Sequence, residues 1–496
     1  MTTAVGAMLA ERRRILTIPA PATLAATGLT VAAAAIYAWI SLFRHDRFGS
    51  NAFDLGIQDQ TVWGYSRLEV IPNTVLGIPN LLGDHFHPIL VVLAPFYWIW
   101  DSPSVLLVAQ AVLMAAAGVP IFLWGAERLG NLAGLAFQAS YLVFWGVLAG
   151  VLFDFHHVAF AVPAISLALY ATLTHRNRLL WLGIAVGLLT REDVSLTLMA
   201  LGAYVVLVQR RVRLGGALIA LGASWLGVVV GLVMPVLAGQ PYEHWTYQQL
   251  GTGPKSAALH VVTHPLSSLK LLFTPFHKVE VWIGLLGNWL FLPALSPLVL
   301  VAIPSLLERF WSSDPTLWSF QYHYSMVLAP ILTFAAIDTV SRVVRHLPPR
   351  RTWIPTAAAA VGSLAVGVVL SFVTVQPLDE LGTYVSGARA AQIQSCLDVI
   401  PPDDSVSATS RLVPHLSDRR QIYVIPKGLN SGYLAIDLST DQAILTQSYA
   451  DYLRGLIRTS LASGYSVACS KGLTVVLVRG REQGTLSPQM ARFVAA

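Results

Sequence analysis

Apolar and polar positions segregate along this chain in blocks of tens of residues. Apolar runs near the ~20 residues needed to cross the hydrocarbon core of a bilayer occupy 22–43, 105–124, 132–152, 215–237 and 355–375. Shorter ones fill 160–173, 179–190, 196–208 and 325–337. The run 281–304 is interrupted by Gly287, Asn288 and Pro293, so it reads either as one span or as a tight pair of short helices. The segment 89–100 is apolar and aromatic but short, and Asp101, Ser102 and Pro103 close it, which suits an interfacial or re-entrant helix. The expected fold class is a polytopic α-helical membrane protein with about 10–12 membrane helices.

Charge orients these runs. Arg12, Arg13 and Arg14 precede the first, Glu127 and Arg128 follow the run 105–124, and basic blocks fall at 175–178, 209–213 and 342–351. Cationic connectors face the cytoplasm, which leaves the Asp- and His-bearing connectors outside and the N-terminus inside. The path closes only if 89–100 does not span. The run 22–43 is too long for the core of a signal peptide and no cleavage site follows it, so it is expected to be retained as a span.

Beyond 376 the pattern changes to that of a small α/β unit. SGARAAQIQSCLDVI has the spacing of an amphipathic helix, DSVSAT, QIYVIP and YLAIDL read as strands, DQAILTQSYADYLRGLIRTS as a second helix, and YSVACS with LTVVLVRG as a strand pair. The expected domains are therefore 1–375, transmembrane with a first outer loop at 44–88, and 376–496, an extracytoplasmic α/β domain large enough for its own core. Cys396 and Cys469, the only cysteines, both fall in the second. A disulfide between them suits an oxidising compartment, and two unpaired core cysteines are the alternative.

The 496 residues are 55% hydrophobic and 12% charged, against about one quarter charged for an ordinary soluble protein. The net charge of +6 sits in the short cationic connectors and is no nucleic-acid signal.

Against this apolar background the ionisable groups of the outer connectors stand out. They are Asp54 and Asp59 with Gln60; Asp84, His85 and His87; Asp154, His156 and His157; Arg191, Glu192 and Asp193; Glu243 and His244; and His323. A carboxylate among them can act as a general base. Asp84, His85, Asp154 and His156 have the residue types for a divalent metal, and arginine or histidine can hold a phosphate. Simpler readings stand beside these. Asp54 can cap a helix beginning at Leu55, Asp59 can lie on a solvated interfacial helix, and Glu192 and Asp193 can pair with Arg191. The histidines between His260 and His277 are scattered, and Trp98, Trp100, Trp145 and Trp318 read as membrane-belt residues.

Phe53-Asp54-Leu55-Gly56-Ile57 with Gln60 and Trp63, His85-Phe86 with Pro88, Phe153-Asp154-Phe155-His156, Glu192-Asp193 and His323-Tyr324 together resemble a bacterial family of polytopic membrane proteins, domain of unknown function 2079. The likeness continues at Ser407-Ala408, Pro414-His415-Leu416, Arg419 and 423–426. That family in turn resembles the C-type glycosyltransferase (GT-C) superfamily, whose members take a sugar from a polyprenyl-phosphate carrier outside the cytoplasmic membrane. His157 stands where proline would be expected, a departure that leaves the acidic residue in place.

The resemblance implies a protein of the bacterial cytoplasmic membrane and an inverting glycosyltransferase, with Asp54 as base or metal ligand, Asp84 as second candidate and Asp154 in the second acidic motif. His85, His156, Arg191 and His323 would contact the donor phosphate, and Asp59, Gln60, Glu192, Asp193, Glu243 and His244 would support the site. The implied partners are a polyprenyl-phosphate-linked sugar, a glycan or lipid-linked acceptor and membrane lipids. The resemblance implies no certain cofactor, and a divalent ion is a candidate. The rival readings are a transporter or flippase of an envelope precursor and a non-catalytic envelope scaffold. Polar groups gathered near one face, the absence of a visible inverted repeat and the outer domain weigh against transport.

Overall fold

Hydrophobic run length decides most of the architecture. The computed structural model describes residues 20–240, 244–375, 384–440, 446–480 and 484–496; Arg12, Arg13, Arg14, Glu243 and the expected boundary at Gln376 lie outside the described residues. Among the described residues five helices are long and apolar enough to cross a membrane: Ala20–Asp46, Ser104–Leu129, Val212–Ala238, His323–Val344 and Pro349–Thr374. A sixth span forms if Asn131–Leu142 and Trp145–Leu152, bent by 44°, count as one. The bend falls at Phe144, whose backbone is extended (φ −63°, ψ 130°).

By length and composition this is fewer than the expected 10–12. The apolar segments Asn177–Leu188 and Val194–Leu207 fold as helices of 12 and 14 residues, and such helices reach only about 18–21 Å at 1.5 Å per residue. The interrupted run is not one span: it holds the end of helix Phe276–Gly287 and then 3-10 turns, after Phe291 takes a left-handed backbone (φ 60°), and the next helix, Ile303–Trp311, begins only where the run ends. Pro88–Leu93 is a 3-10 helix of six residues and Ala94–Tyr97 an α-helical turn of four, together too short to span.

Helices His157–Leu173, Val194–Leu207 and His323–Val344 run in one sense. Val158, Val194 and His323 at their starts line one cavity together with Arg191, whereas Leu173, Tyr204 and Ser341 towards their ends line another with Arg128, His175 and Arg345. With the cationic end inside, the first cavity and the α/β domain beside it are extracytoplasmic. Trp98 and Trp100 are exposed as belt residues would be, but Trp145 is fully buried and its Nε1 donates to the Gly284 carbonyl (3.0 Å).

The C-terminal domain holds a five-stranded sheet of order β2-β1-β3-β5-β4, with β1 Val406–Ala408, β2 Ile422–Val424, β3 Tyr433–Asp437, β4 Tyr465–Lys471 and β5 Thr474–Arg479. β1 is parallel to β2 and β3; β5 is antiparallel to β3 and β4. In β5 the consecutive Val475, Val476 and Leu477 are all buried, the pattern of a strand covered on both faces. Helix Gly387–Leu397 starts where the Ser386 side chain accepts from the Arg389 amide, and it buries Ala390, Ile393, Cys396 and Leu397. Cys396 is disulfide-bonded to Cys469 on β4, with Cα atoms 5.4 Å apart.

This domain does not close its core alone. Phe48, Ala52, Ile57, Val75 and Leu81 of the first outer loop pack into one cluster with Ile393, Val406, Leu412, Val413 and Ile422. Fully burying a side chain of this size contributes about 1.5–3 kcal/mol, so the loop that carries Asp54 is fastened to the outer domain by its apolar residues.

Candidate functional site

Two aspartates of the outer connectors have positive φ, 94° at Asp154 and 84° at Asp54. Such backbone is uncommon outside glycine and persists where the surroundings impose it. Around Asp154 they do. Its carboxylate takes Arg44 Nη1 at 2.6 Å on one oxygen and the Asn51 amide at 2.9 Å on the other. Gln110 clamps the turn, donating to the Gly150 and Asp154 carbonyls and accepting from the His156 amide. Asp154 is fully buried and both of its oxygens are engaged, so it holds the loop on which Asp54 sits rather than facing a reactant.

Asp54 differs in each respect. Its side chain is 30% exposed and forms no helix cap; its carboxylate Oδ1 lies 3.1 Å from His156 Nε2 without hydrogen-bond alignment. The His156 ring stands 3.6 Å from that of His323, centroid to centroid. Asp54, His156 and His323, distant in sequence, therefore meet, and His323 lines the adjoining cleft.

A second group forms around Glu192. One of its oxygens binds His85 Nδ1 (2.8 Å) and the other accepts from the Phe86 amide (3.1 Å), while the Ile89 amide donates to the Leu189 carbonyl. Glu192 therefore pairs with His85 and not with Arg191. His244 Nε2 reaches Asp84 Oδ1 at 2.9 Å and its ring stacks on His85 at 4.4 Å. Gly83 permits this approach, since a Cβ there would lie 2.4 Å from the Ala238 nitrogen. Burial alone would raise the Asp84 carboxyl, but the His244 hydrogen bond and the neighbouring histidine charges outweigh it and leave it below its ordinary range. The Asp84 hydrogen bond raises the His244 imidazole against the effect of burial.

Potential ligand atoms of Asp84, His85 and His244 lie within 4.8 Å of one another. One carboxylate and two imidazoles fit a transition metal better than magnesium or calcium. Glu192 on His85 Nδ1 leaves Nε2 to ligate, as in carboxylate–histidine–metal arrangements. The metal set expected from sequence is thus corrected: Asp84 and His85 come together with His244, whereas Arg44 occupies Asp154 and His156 stands with Asp54.

Arg191 occupies the cleft itself, with Nε 3.4 Å from Asp193 Oδ2 and Nη2 3.9 Å from Glu308 Oε1. The cleft, about 580 Å³ to its open mouth, is also lined by Arg309, His323 and Tyr324 and by apolar Val158, Leu317 and Val327. Past Ile165, Val194 and Thr197 it adjoins a second, apolar cleft walled by Ala168, Ile184, Leu198 and Val301. Arg309 is buried and donates to the Leu317 and Ser319 carbonyls and to Ser325 Oγ. No carboxylate pairs with it among the described residues. Glu308 and Arg309 were missed from sequence, although two ionisable residues inside an apolar run are themselves a signal.

Asp59 and Gln60 lie away from the cleft. Asp59 is not solvated on an interfacial helix, as its position suggested, but fully buried, accepting from Tyr97 Oη (2.5 Å) and Ser417 Oγ (2.7 Å). Gln60 binds Thr74 and the Arg419 and Arg420 carbonyls. Both fasten the outer domain to the first loop. Burial, and after it the charge of His85, pushes the His87 imidazole down to about 4, so this ring, 4.4 Å from His157, stays neutral.

No curated protein sequence matches the chain. Two crystal structures of ArnT from Cupriavidus metallidurans are similar to it, one bound to undecaprenyl phosphate and one in the apo state. Their TM-scores are 0.54 and 0.56 at 12% and 13% identity, and each comparison covers 92% of this chain and 99% of ArnT. At that identity the likeness concerns the fold alone: a multi-pass helical body with a C-terminal α/β domain. The sequence evidence is closer, because the model of the family described as "Predicted membrane protein (DUF2079)" matches residues 44–472, and the chain belongs to that family.

Proposed function

We propose that this protein transfers a sugar from a polyprenyl-phosphate-linked donor to a glycan or lipid-linked acceptor at the outer face of the membrane, with Asp54 as general base. The observation that carries the reading is the shape and lining of the cleft. Arg191, Arg309 and His323 line a cleft that adjoins an apolar groove between helices, and Asp54 stands next to His156, whose ring packs on His323, as an amphiphile with an anionic head and a long hydrocarbon tail requires. A protein of the same fold, ArnT, has been crystallised with undecaprenyl phosphate.

In this reading the donor phosphate rests near Arg191 and the His156–His323 pair while its tail follows the apolar cleft. The acceptor oxygen attacks the anomeric carbon from the face opposite the phosphate, the carbon–oxygen bond to phosphate breaks with its electron pair, and Asp54 takes the acceptor's proton. Arg191 and the buried Arg309 oppose the growing phosphate charge in a water-poor setting where such charges act strongly. A divalent ion held by Asp84, His85 and His244 would supply further neutralisation of that charge.

The test is turnover of lipid-linked sugars by purified full-length protein across several polyprenyl-phosphate donors, with and without chelator. Release of polyprenyl phosphate that requires both a glycan or lipid acceptor and Asp54 supports the reading. Movement of an intact lipid-linked precursor across vesicles without cleavage would replace it with transport.

A further inference from the structure

The end of the helical body opposite Asp54 carries a second cavity, of about 700 Å³ to open solvent, that the proposed reaction does not use. It opens among the basic helix ends, and Trp124, Arg128, His175, Tyr204, Gln209 and Arg345 contribute to its wall. Donors outnumber acceptors on it, the acceptors being the Asp338 carboxylate and Gln209 Oε1. Trp124 is 1% exposed, and its Nε1 has no hydrogen-bond partner among the described residues. A buried indole N–H is normally partnered, so this one marks a place for an acceptor. The Arg128 guanidinium lies over the Trp124 ring at 5.7 Å, and Arg345 Nε donates to the Ser341 carbonyl (3.2 Å). Neither arginine pairs with a carboxylate among the described residues. The acid on the wall, Asp338, is already engaged by Arg342 Nε (3.0 Å) and Ser296 Oγ (2.6 Å), and His175 Nδ1 meets Arg211 Nη1 at 3.1 Å.

We propose that this cavity is a phosphate-binding site on the cytoplasmic side of the protein. Two guanidinium groups, an unpartnered indole donor and a tyrosine hydroxyl, with the wall carboxylate paired to Arg342, match an anion with several acceptor oxygens. A cationic pocket between helix ends at the inner interface is also where the phosphate of an anionic phospholipid headgroup arrives. The site stands apart from the outer cleft and does not depend on the proposed transferase reaction.

Native mass spectrometry of delipidated full-length protein tests it, with phosphatidylglycerol, phosphatidylcholine and inorganic phosphate as separate probes. Wild type is expected to retain phosphatidylglycerol over phosphatidylcholine. Arg128→Gln and Arg345→Gln, both exposed and read singly and together, should weaken retention at least about ten-fold in combination. Trp124→Phe, which keeps the ring and removes only the N–H, should weaken it several-fold. Inorganic phosphate that binds without lipid, with the same dependence on Arg128 and Arg345, would assign the site to a soluble phosphate. Retention of both phosphate probes unchanged in the arginine variants and in Trp124→Phe, or binding of neither probe by wild type, would overturn the proposal.

Discussion

Arg44 and Asp154, 110 residues apart, meet at 2.6 Å where the first span ends, and neither is more than 7% exposed. The loop from Asn51 to Asp54 hangs from this pair through the Asn51 amide. Asp154 therefore acts through position, and Asp154→Asn should show it as instability. Stranding one member of a buried ion pair typically costs about 3–5 kcal/mol. A clear drop in melting temperature in detergent is expected, with part of the loss recovered in Arg44→Met/Asp154→Asn, where no charge remains and asparagine tolerates the positive φ. An Asp154→Asn protein that melts like wild type and yet is inactive would return Asp154 to the catalytic candidates.

Asp59 makes the seam between the first loop and the outer domain pH-dependent. Burial raises its carboxyl to about 7 from an ordinary 3.8, with the Ser417 and Tyr97 hydrogen bonds only partly opposing. Between those values the folded state holds the proton and the unfolded state has released it. Its contribution is thus fully present below about pH 4 and lost as pH rises through about 7. Asp59→Asn stays neutral throughout, so melting temperature should fall less between pH 5 and pH 8 in the variant than in wild type. Parallel curves for the two proteins would count against a protonated Asp59.

Much of this fold is legible in the chain because short-range patterns specify it. The strands of the outer domain follow from runs such as Thr474–Arg479, and helix Gly387–Leu397 from the spacing of Ala390, Ile393 and Leu397. The non-spanning 89–100 segment and the break of the run 281–304 follow from their polar and proline residues. Partnership is harder to read. Nothing local to Phe153–His157 announces that Arg44 fills the Asp154 carboxylate, or that His244, 160 residues from Asp84, completes a cluster from which His156 is absent. Asp59 misleads for the same reason: its neighbours in sequence suggest water, and Tyr97 and Ser417 bury it.

The Asp84, His85 and His244 cluster predicts selective metal binding. Equilibrium dialysis should show zinc retained well above magnesium, as expected for imidazole-rich ligand sets. Asp84→Asn and His244→Ala should abolish retention. Glu192→Gln, which disturbs only the group orienting His85, should weaken it about 10-fold to 100-fold. Wild-type protein that holds no zinc would rule the site out.

The last prediction separates Asp54 from the other acids around it. The carboxylate is partly open, faces His156, caps no helix and sits on a backbone with φ 84° that the Arg44–Asp154 pair and the outer domain hold in place. Asparagine is among the few residues that tolerate positive φ, so Asp54→Asn should keep the loop, the fold and the melting temperature. It cannot accept a proton. If Asp54 is the base, turnover should fall by roughly 10²-fold to 10⁴-fold, with little change in donor affinity. Asp84→Asn in parallel distinguishes the alternative in which the decisive acid is a metal ligand, because it should lose zinc and Asp54→Asn should not. Turnover, melting temperature, donor affinity and bound metal measured together therefore give each acid its own signature. A folded Asp54→Asn protein that turns donor over at the wild-type rate would end its assignment as base and move that role to Asp84, since Asp154 has no free carboxylate oxygen to offer.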